Sequence, residues 1–323
     1  RAWVVPGMLD PDAVPLSVGA SILGGLASSR LDNALVRGDQ SATSANAGAQ
    51  AFHRLGFFSY SANVKPGGDA AAVAARMDAV FADLMANGPT QDEIDRVVTQ
   101  YAARAIQGLE QVNGKASALA EGQLYAGDPD FFRNQLAAYA AVTPAQVRDA
   151  MQRWLTRPVY SQIVEPGERE AYVEAAAVPS GAAPVEAVEI VRVPRDPMPA
   201  IGEVSNIDFP DVERATLSNG IEVVYARSAT VPVTRVAVEF DAGYAADDAD
   251  SLGVHSMMLT LMNEGTTTRD SNALAEAQER LGASVNVGAS MDRTAASLTA
   301  VTTNLDPSLV LLSDVVRNPA FAP

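Results

Sequence analysis

The sequence predicts an α+β protein of layered domains, with helices packed on antiparallel sheets. Three observations predict it. Strand-like alternation comes in neighbouring pairs, at 43–52 with 57–64 and at 284–290 with 294–302. Capped amphipathic helix follows each pair, several helices after the first and one after the second, instead of alternating with single strands. A length of 323 residues with 48% hydrophobic content is enough for two buried cores.

In the first half, Asp10-Pro11 starts a helix with Val14, Leu16, Val18, Ile22 and Leu23 at apolar positions. Gly24-Gly25 interrupts it, and Ser28 to Val36 resumes it. These glycines lie within a helix pair and do not follow a strand, so they read as close packing, not a nucleotide loop. Thr43–Phe52 and Phe57–Val64 alternate as an antiparallel pair, closed by Pro66-Gly67-Gly68. Asp69 caps a helix whose stripe is Val73, Met77, Val80, Phe81 and Leu84, stopped by Gly88. Thr90 with Glu93 is a capping box for the next helix, with Ile94, Val97, Val98, Tyr101 and Ala105 as its buried stripe. Its continuation bends between Gly108 and Tyr125. Asp128-Pro129 opens a helix through Tyr139, and Thr143-Pro144 with Gln146 opens another to about Thr156. Val159–Val164 reads as a closing strand.

Residues 168–212 lose all periodicity and carry prolines at 179, 184, 194, 197 and 199, as a linker or extended arm does. In the second half Asn219-Gly220 marks a hairpin between Ala215 and Tyr225, with positive φ expected at both turn positions. Val231–Ala242 is a half-buried strand, and Ser271–Leu281 is an amphipathic helix closed by Gly282. The paired strands at 284–290 and 294–302 follow, then a helix from Leu305 to Val316. The domains so read are 1–167, a linker at 168–212, and 213–323.

The formal charge of −16 and pI near 4.5 disfavour nucleic acid as a partner, and anionic membranes as well. The chain has no cysteine, which removes disulfides, thiol catalysis and cysteine-bound zinc without fixing a compartment. No apolar run is long enough for a membrane span. The chain begins Arg1-Ala-Trp and ends Ala320-Phe-Ala-Pro323 just after a helix, so both ends read as cut from a longer protein.

The stretch that organises the second half is Ser251 to Thr266, an apolar helix after an acidic loop at 245–250, stopped by Gly265. Met257, Met258, Leu261 and Met262 suit core packing there. His255 has Leu259 four residues on and so lacks a partner at ligand spacing, and Glu264 sits solvated at the helix end. The other histidine, His53, lies in a strand run.

Several stretches resemble the pitrilysin or insulinase-like zinc peptidases, which include the mitochondrial processing peptidases. They are Thr216-Leu-Ser-Asn-Gly-Ile-Glu-Val-Val, Ala242-Gly243, Leu252-Gly253-Val, Glu264-Gly265-Thr266, Leu281-Gly-Ala-Ser284 and Asn318-Pro-Ala-Phe321. In the first half they are Pro15-Leu16, Ile22-Leu-Gly-Gly25, Ser28-Ser-Arg-Leu31 and Thr143-Pro-Ala-Gln-Val147. The resemblance implies clamshell-type domains, here the C-terminal-type domain of a first half followed by the start of a second half. Active members carry His-x-x-Glu-His on the helix after the acidic loop, two histidines for zinc and a glutamate to activate water. The corresponding positions here are Ser256, Met257, Met258, Leu259 and Thr260. The resemblance therefore implies no catalytic and no metal residue in this chain, with zinc bound upstream in the parent protein. Arg37 corresponds to a substrate-clamping arginine, but its tyrosine partner is Ser44, so no clamp is assigned and Arg30 and Arg37 read as structural. The implied function is a non-catalytic region of a zinc metallopeptidase, chamber wall and pseudo-active half. Its partners would be a peptide substrate and the remaining domains. The alternative is a scaffold or partner subunit. The resemblance leaves the compartment open; bacterial relatives are often periplasmic or cell-envelope proteins, and the cysteine-free composition is compatible with that.

Overall fold

The computed structural model describes residues 1–168, 202, 210–228 and 230–322. Most of the linker expected at 168–212 lies outside the described residues. By its contacts the chain divides into one unit of Arg1–Gln162 with Ala229–Pro323, and a second of Ile163–Ser228.

The first core of the larger unit is built on the sheet β1 (Ala2–Pro6), β2 (Ala42–Ala51) and β3 (Leu55–Val64), in the antiparallel order β1-β3-β2. Alternation along β3 buries Phe58 and Tyr60 and exposes Leu55, Phe57 and Ser59. The edge strand β1 escapes periodicity because it is only five residues long. It is anchored by Trp3, which stacks on Phe81 at 5.2 Å and meets Phe58 edge-on. The strand expected at 159–164 is a single bridge, with Ala2 and Tyr160 exchanging hydrogen bonds of 2.8 and 2.9 Å. In that register Val4 would face Pro158, which has no N–H to give, and in the other direction β1 runs out.

The helices cover the inner face. α1 (Ala13–Ala20) passes into π-turns at Ser21–Gly25 and, after a break, Asp32–Gly38. A Cβ on Gly24 would lie 2.3 Å from the backbone nitrogen of Ala47. Glycine is thus what lets this segment reach β2. α2 (Ala70–Asn87) is capped by Asp69, and α3 (Gln91–Gly108) by the Thr90–Glu93 box. Beyond Gly108 the expected bent continuation is a separate helix, α4 (Val112–Glu121). α5 (Phe131–Ala141) and α6 (Pro144–Leu155) complete the layer, the latter with its Thr143–Gln146 box formed. Leu16, Ile22, Leu23, Leu31, Leu84, Ile94 and Met151 fill this core.

In the smaller unit β4 (Val212–Thr216) and β5 (Glu222–Ala226) form an exposed hairpin. Its turn differs from the expected one. Gly220 N–H donates to Leu217 O and Leu217 N–H to Ile221 O, and of the turn residues only Gly220 has positive φ, 87°. That is a three-residue loop, a turn at Ser218-Asn219 followed by a left-handed glycine. Asn219 instead accepts a hydrogen bond from Ile221 N–H at 3.2 Å.

The second core of the larger unit has β6 (Val233–Phe240), α7 (Val254–Met262), α8 (Ser271–Leu281), β7 (Ser284–Ala289), β8 (Thr294–Val301) and α9 (Leu305–Arg317). The sheet order is β6-β8-β7, antiparallel throughout. Leu259, Leu274, Val287, Leu298, Leu311 and Val315 fill it. No described helix is long and apolar enough to cross a membrane.

Candidate functional site

α7 is held at both ends. Before it, Gly243 passes so close to the β7–β8 turn that a Cβ would lie 2.4 Å from Met291 O. The loop then returns Asp247 to the helix start, where its carboxylate accepts from Gly253 N–H at 2.8 Å and His255 N–H at 3.2 Å. A carboxylate at a helix N-terminus satisfies free donors and matches the helix dipole. At the far end Asn263 binds the Leu259 carbonyl at 3.0 Å and exchanges hydrogen bonds with Val287 at 3.1 and 3.2 Å. The helix is thereby stitched to β7.

After α7 the chain turns at Gly265, whose φ of 145° suits only glycine. Buried Asp314 on α9 fixes this turn. It accepts from the Thr266 and Thr268 hydroxyls at 2.8 and 2.7 Å, from Arg269 at 2.6 Å and from the Asn318 amide at 3.0 Å. Burial alone would raise its pKa, but the hydrogen bonds outweigh burial and hold it at about 2.

Five positions on α7 correspond to the zinc motif in place but not in residue type. Ser256, Met257, Met258 and Thr260 are exposed, and Leu259 is buried in the second core. The Thr260 hydroxyl donates to Ser256 O at 3.0 Å, one turn back along its own helix. These positions do not fit a zinc ion, since they offer two hydroxyls, two thioethers and a buried aliphatic side chain. Among the described residues no three carboxylate or imidazole groups stand together as a metal site.

His255 is half-buried, with Nε2 2.6 Å from the Thr294 hydroxyl and its ring edge-on to Tyr244 at 6.0 Å. His53 lies in the turn after β2, not within a strand, and its ring is 5.9 Å from Tyr125. Glu264 is exposed at the end of α7 and accepts from the Ser271 hydroxyl at 2.9 Å. Arg30 binds Glu93 at 2.7 and 2.8 Å, Asp83 at 3.0 Å and Gly88 O at 3.2 Å. Arg37 pairs with Asp32 at 2.8 Å and reaches the Ser271 hydroxyl. Ser44 accepts from the Asn63 amide at 2.8 Å.

The expected core packing of α7 is corrected. Val254, Met257, Met258 and Leu261 form an exposed row, with Met257 68% exposed. The helix is apolar over most of its girth, outside the Ser256–Thr260 strip, which suits a helix covered on two sides. The sheet covers one side only, through Leu259 and Met262.

Sequence reading also missed the seam between the cores, where α3 meets α8. A cleft of about 310 Å³ opens beside it, lined among others by Gln100, Arg104, Gln107 and Gln278. Arg96 and Glu279, polar residues on amphipathic helices, are each 5% exposed there.

Comparison with known proteins gives two family matches. The profile described as "Peptidase M16 inactive domain" matches residues 2–101, and "Insulinase (Peptidase family M16)" matches residues 222–323. Cytochrome b-c1 complex subunit 1, mitochondrial, of Bos taurus is 30% identical over 109 residues, 34% of this chain and 22% of that protein. A protein named probable mitochondrial-processing peptidase subunit beta, from Arabidopsis thaliana, is 25% identical over 126 residues, 39% of this chain and 24% of that protein. The chain thus matches less than a quarter of the length of either relative. Among solved structures, a protease from Helicobacter pylori is 21% identical with a TM-score of 0.44, covering 48% of this chain and 37% of that one. A peptidase M16 inactive domain from Pseudomonas fluorescens is 29% identical with a TM-score of 0.33, covering 35% and 27%.

Proposed function

From the premise that this chain belongs to the M16 peptidase family, we propose that it is a non-catalytic region of a zinc metallopeptidase. In this reading residues 1–167 are the inactive C-terminal-type domain of a first half, and residues 213–323 begin a degenerate N-terminal-type domain. The region encloses peptide substrate, and the zinc sits on another domain of the parent protein. The observation that carries the reading is the state of α7. Where an active helix would present two imidazoles and a carboxylate, Leu259 is in the core and Thr260 bonds to its own helix. The outer face of the β1-β3-β2 sheet supports a wall role. Val4 stands opposite Phe57 in an exposed apolar row, and Ser59 and Ser61 continue that face with small polar groups.

The test is hydrolysis of a quenched fluorescent peptide. The purified chain alone is inert with added zinc, and joining it to the zinc-bearing domain of the same parent raises turnover over that domain alone. Chelator-sensitive hydrolysis by this chain alone would overturn the reading. The likeness to a named subunit of the cytochrome b-c1 complex favours a second reading, a scaffold subunit in a larger assembly. A parent in which no domain carries His-x-x-Glu-His would decide for it.

A further inference from the structure

The cleft of about 310 Å³ beside α3 and α8 takes its chemistry from one face of α3. Gln100, Arg104 and Gln107 follow one another at helical spacing, so their side chains share a side. Across from them α8 supplies Gln278 and Glu279. Of the lining residues only Arg104 and Glu279 are charged. Glu279 is already neutralised, since Arg96 donates to it at 3.0 Å and the Ser28 N–H at 3.1 Å. Arg104 is exposed, and among the described residues its guanidinium and the Gln107 amide have no hydrogen-bond or ion-pair partner. The cleft therefore carries one uncompensated positive charge in a chain of net charge −16. The other two glutamines are each half engaged among the described residues. Gln278 Oε1 accepts from Val285 N–H at 2.8 Å, which holds that amide and leaves its N–H₂ group unused. The Gln100 N–H₂ donates to Gln278 O at 3.4 Å, which leaves its Oε1 unused. The cleft thus sets amide donors and acceptors around a guanidinium, with Leu26, Ala103 and Ala275 as a small apolar wall.

We infer that this cleft binds the C-terminal residue of a short peptide. Arg104 takes the carboxylate, which a planar guanidinium matches with two parallel hydrogen bonds. The amides of Gln100, Gln107 and Gln278 pair with the N–H and C=O groups of the peptide, which need acceptors and donors in turn. A volume of about 310 Å³ is at the low end for ligand pockets, so it suits one or two residues with small side chains and not a long segment. That such peptides would be cleavage products rests on the peptidase reading above, whereas the binding itself does not.

The test is calorimetric titration of the full chain with three probes: N-acetyl-dialanine with a free carboxylate, the same peptide as its C-terminal amide, and inorganic phosphate. The free acid saturates one site, and both the amide and phosphate bind about tenfold or more weaker, the one lacking the charge and the other the peptide groups. Binding of the acid slows amide exchange at 100–107 and 278–285. Arg104→Gln, at an exposed position that folding does not need, lowers the affinity for the acid to that for the amide. Gln107→Ala weakens acid and amide alike, by about threefold. Arg54→Gln removes the same charge from another exposed arginine, after β2, and leaves the affinity unchanged. The inference is overturned if the acid shows no saturable binding, or if the amide or phosphate binds as tightly as the acid. It is equally overturned if Arg104→Gln leaves the affinity unchanged, or if Arg54→Gln lowers it as much. A failed titration leaves the enclosing role of the region standing, and the peptide-turnover assay does not bear on this site.

Discussion

Replacing Asp314 by asparagine removes the charge that four donors converge on at the turn after α7. The carboxyl is lowered from 3.8 to about 2, and its side chain is 8% exposed. At about 1.4 kcal/mol for each tenfold change in proton affinity, the ionised form contributes on the order of 2 kcal/mol to the second core at neutral pH. Asparagine keeps one acceptor oxygen but turns an N–H₂ toward the donors from Thr266, Thr268 and Arg269, so the expected loss is about 2–3 kcal/mol. Because the folded pKa is the lower one, the stabilisation is complete above the unfolded value near 3.8 and lost as pH falls toward 2. About half of it is gone by pH 3. Urea unfolding of parent chain and variant, followed through exchange in α9 and the Gly265–Arg269 turn, reads the difference at pH 7 and again at pH 3. A variant as stable as the parent at pH 7 would refute the reasoning, as would a gap that fails to narrow at pH 3.

Other outcomes follow from the same geometry. Leu298→Ala, at a site 1% exposed in the second core, costs about 3 kcal/mol in chemical denaturation. Gly282→Ala forces a left-handed φ of 59° on alanine and crowds Ala103. It costs about 1–2 kcal/mol and speeds exchange along α8. Ser256→His with Thr260→His places two imidazoles four residues apart on the exposed side of α7. Calorimetry should detect weak zinc binding with no gain of peptidase activity, and absence of binding would mean that these positions do not face solvent together.

Much of the fold was legible because local signals and tertiary outcome agree. Thr90 with Glu93 and Thr143 with Gln146 form the capping boxes their spacing announces, and Gly88 and Gly282 end their helices with positive φ. What escaped depends on contacts far apart in sequence. β1 is too short to alternate visibly, and Trp3 needs Phe81 to be placed. The bridge at Tyr160 stops at Pro158 for lack of a donor, which an apolar run does not reveal. Arg96 and Glu279 look like surface charges on amphipathic helices, and each is buried only because the other arrives from 183 residues away. For the site, the place of α7 was readable from the acidic loop and Gly265. The exposure of its methionines was not, because an apolar girth shows what a helix could bury and not what covers it.

The most direct measurement is metal content. The purified chain, equilibrated with zinc and then dialysed, is assayed by atomic spectroscopy. No stoichiometric zinc is the expected result, since Ser256, Leu259 and Thr260 stand where ligands and base would be. One tightly held zinc per chain would mean that His53, His255 and carboxylates converge on a site, and would contradict the non-catalytic assignment of this region.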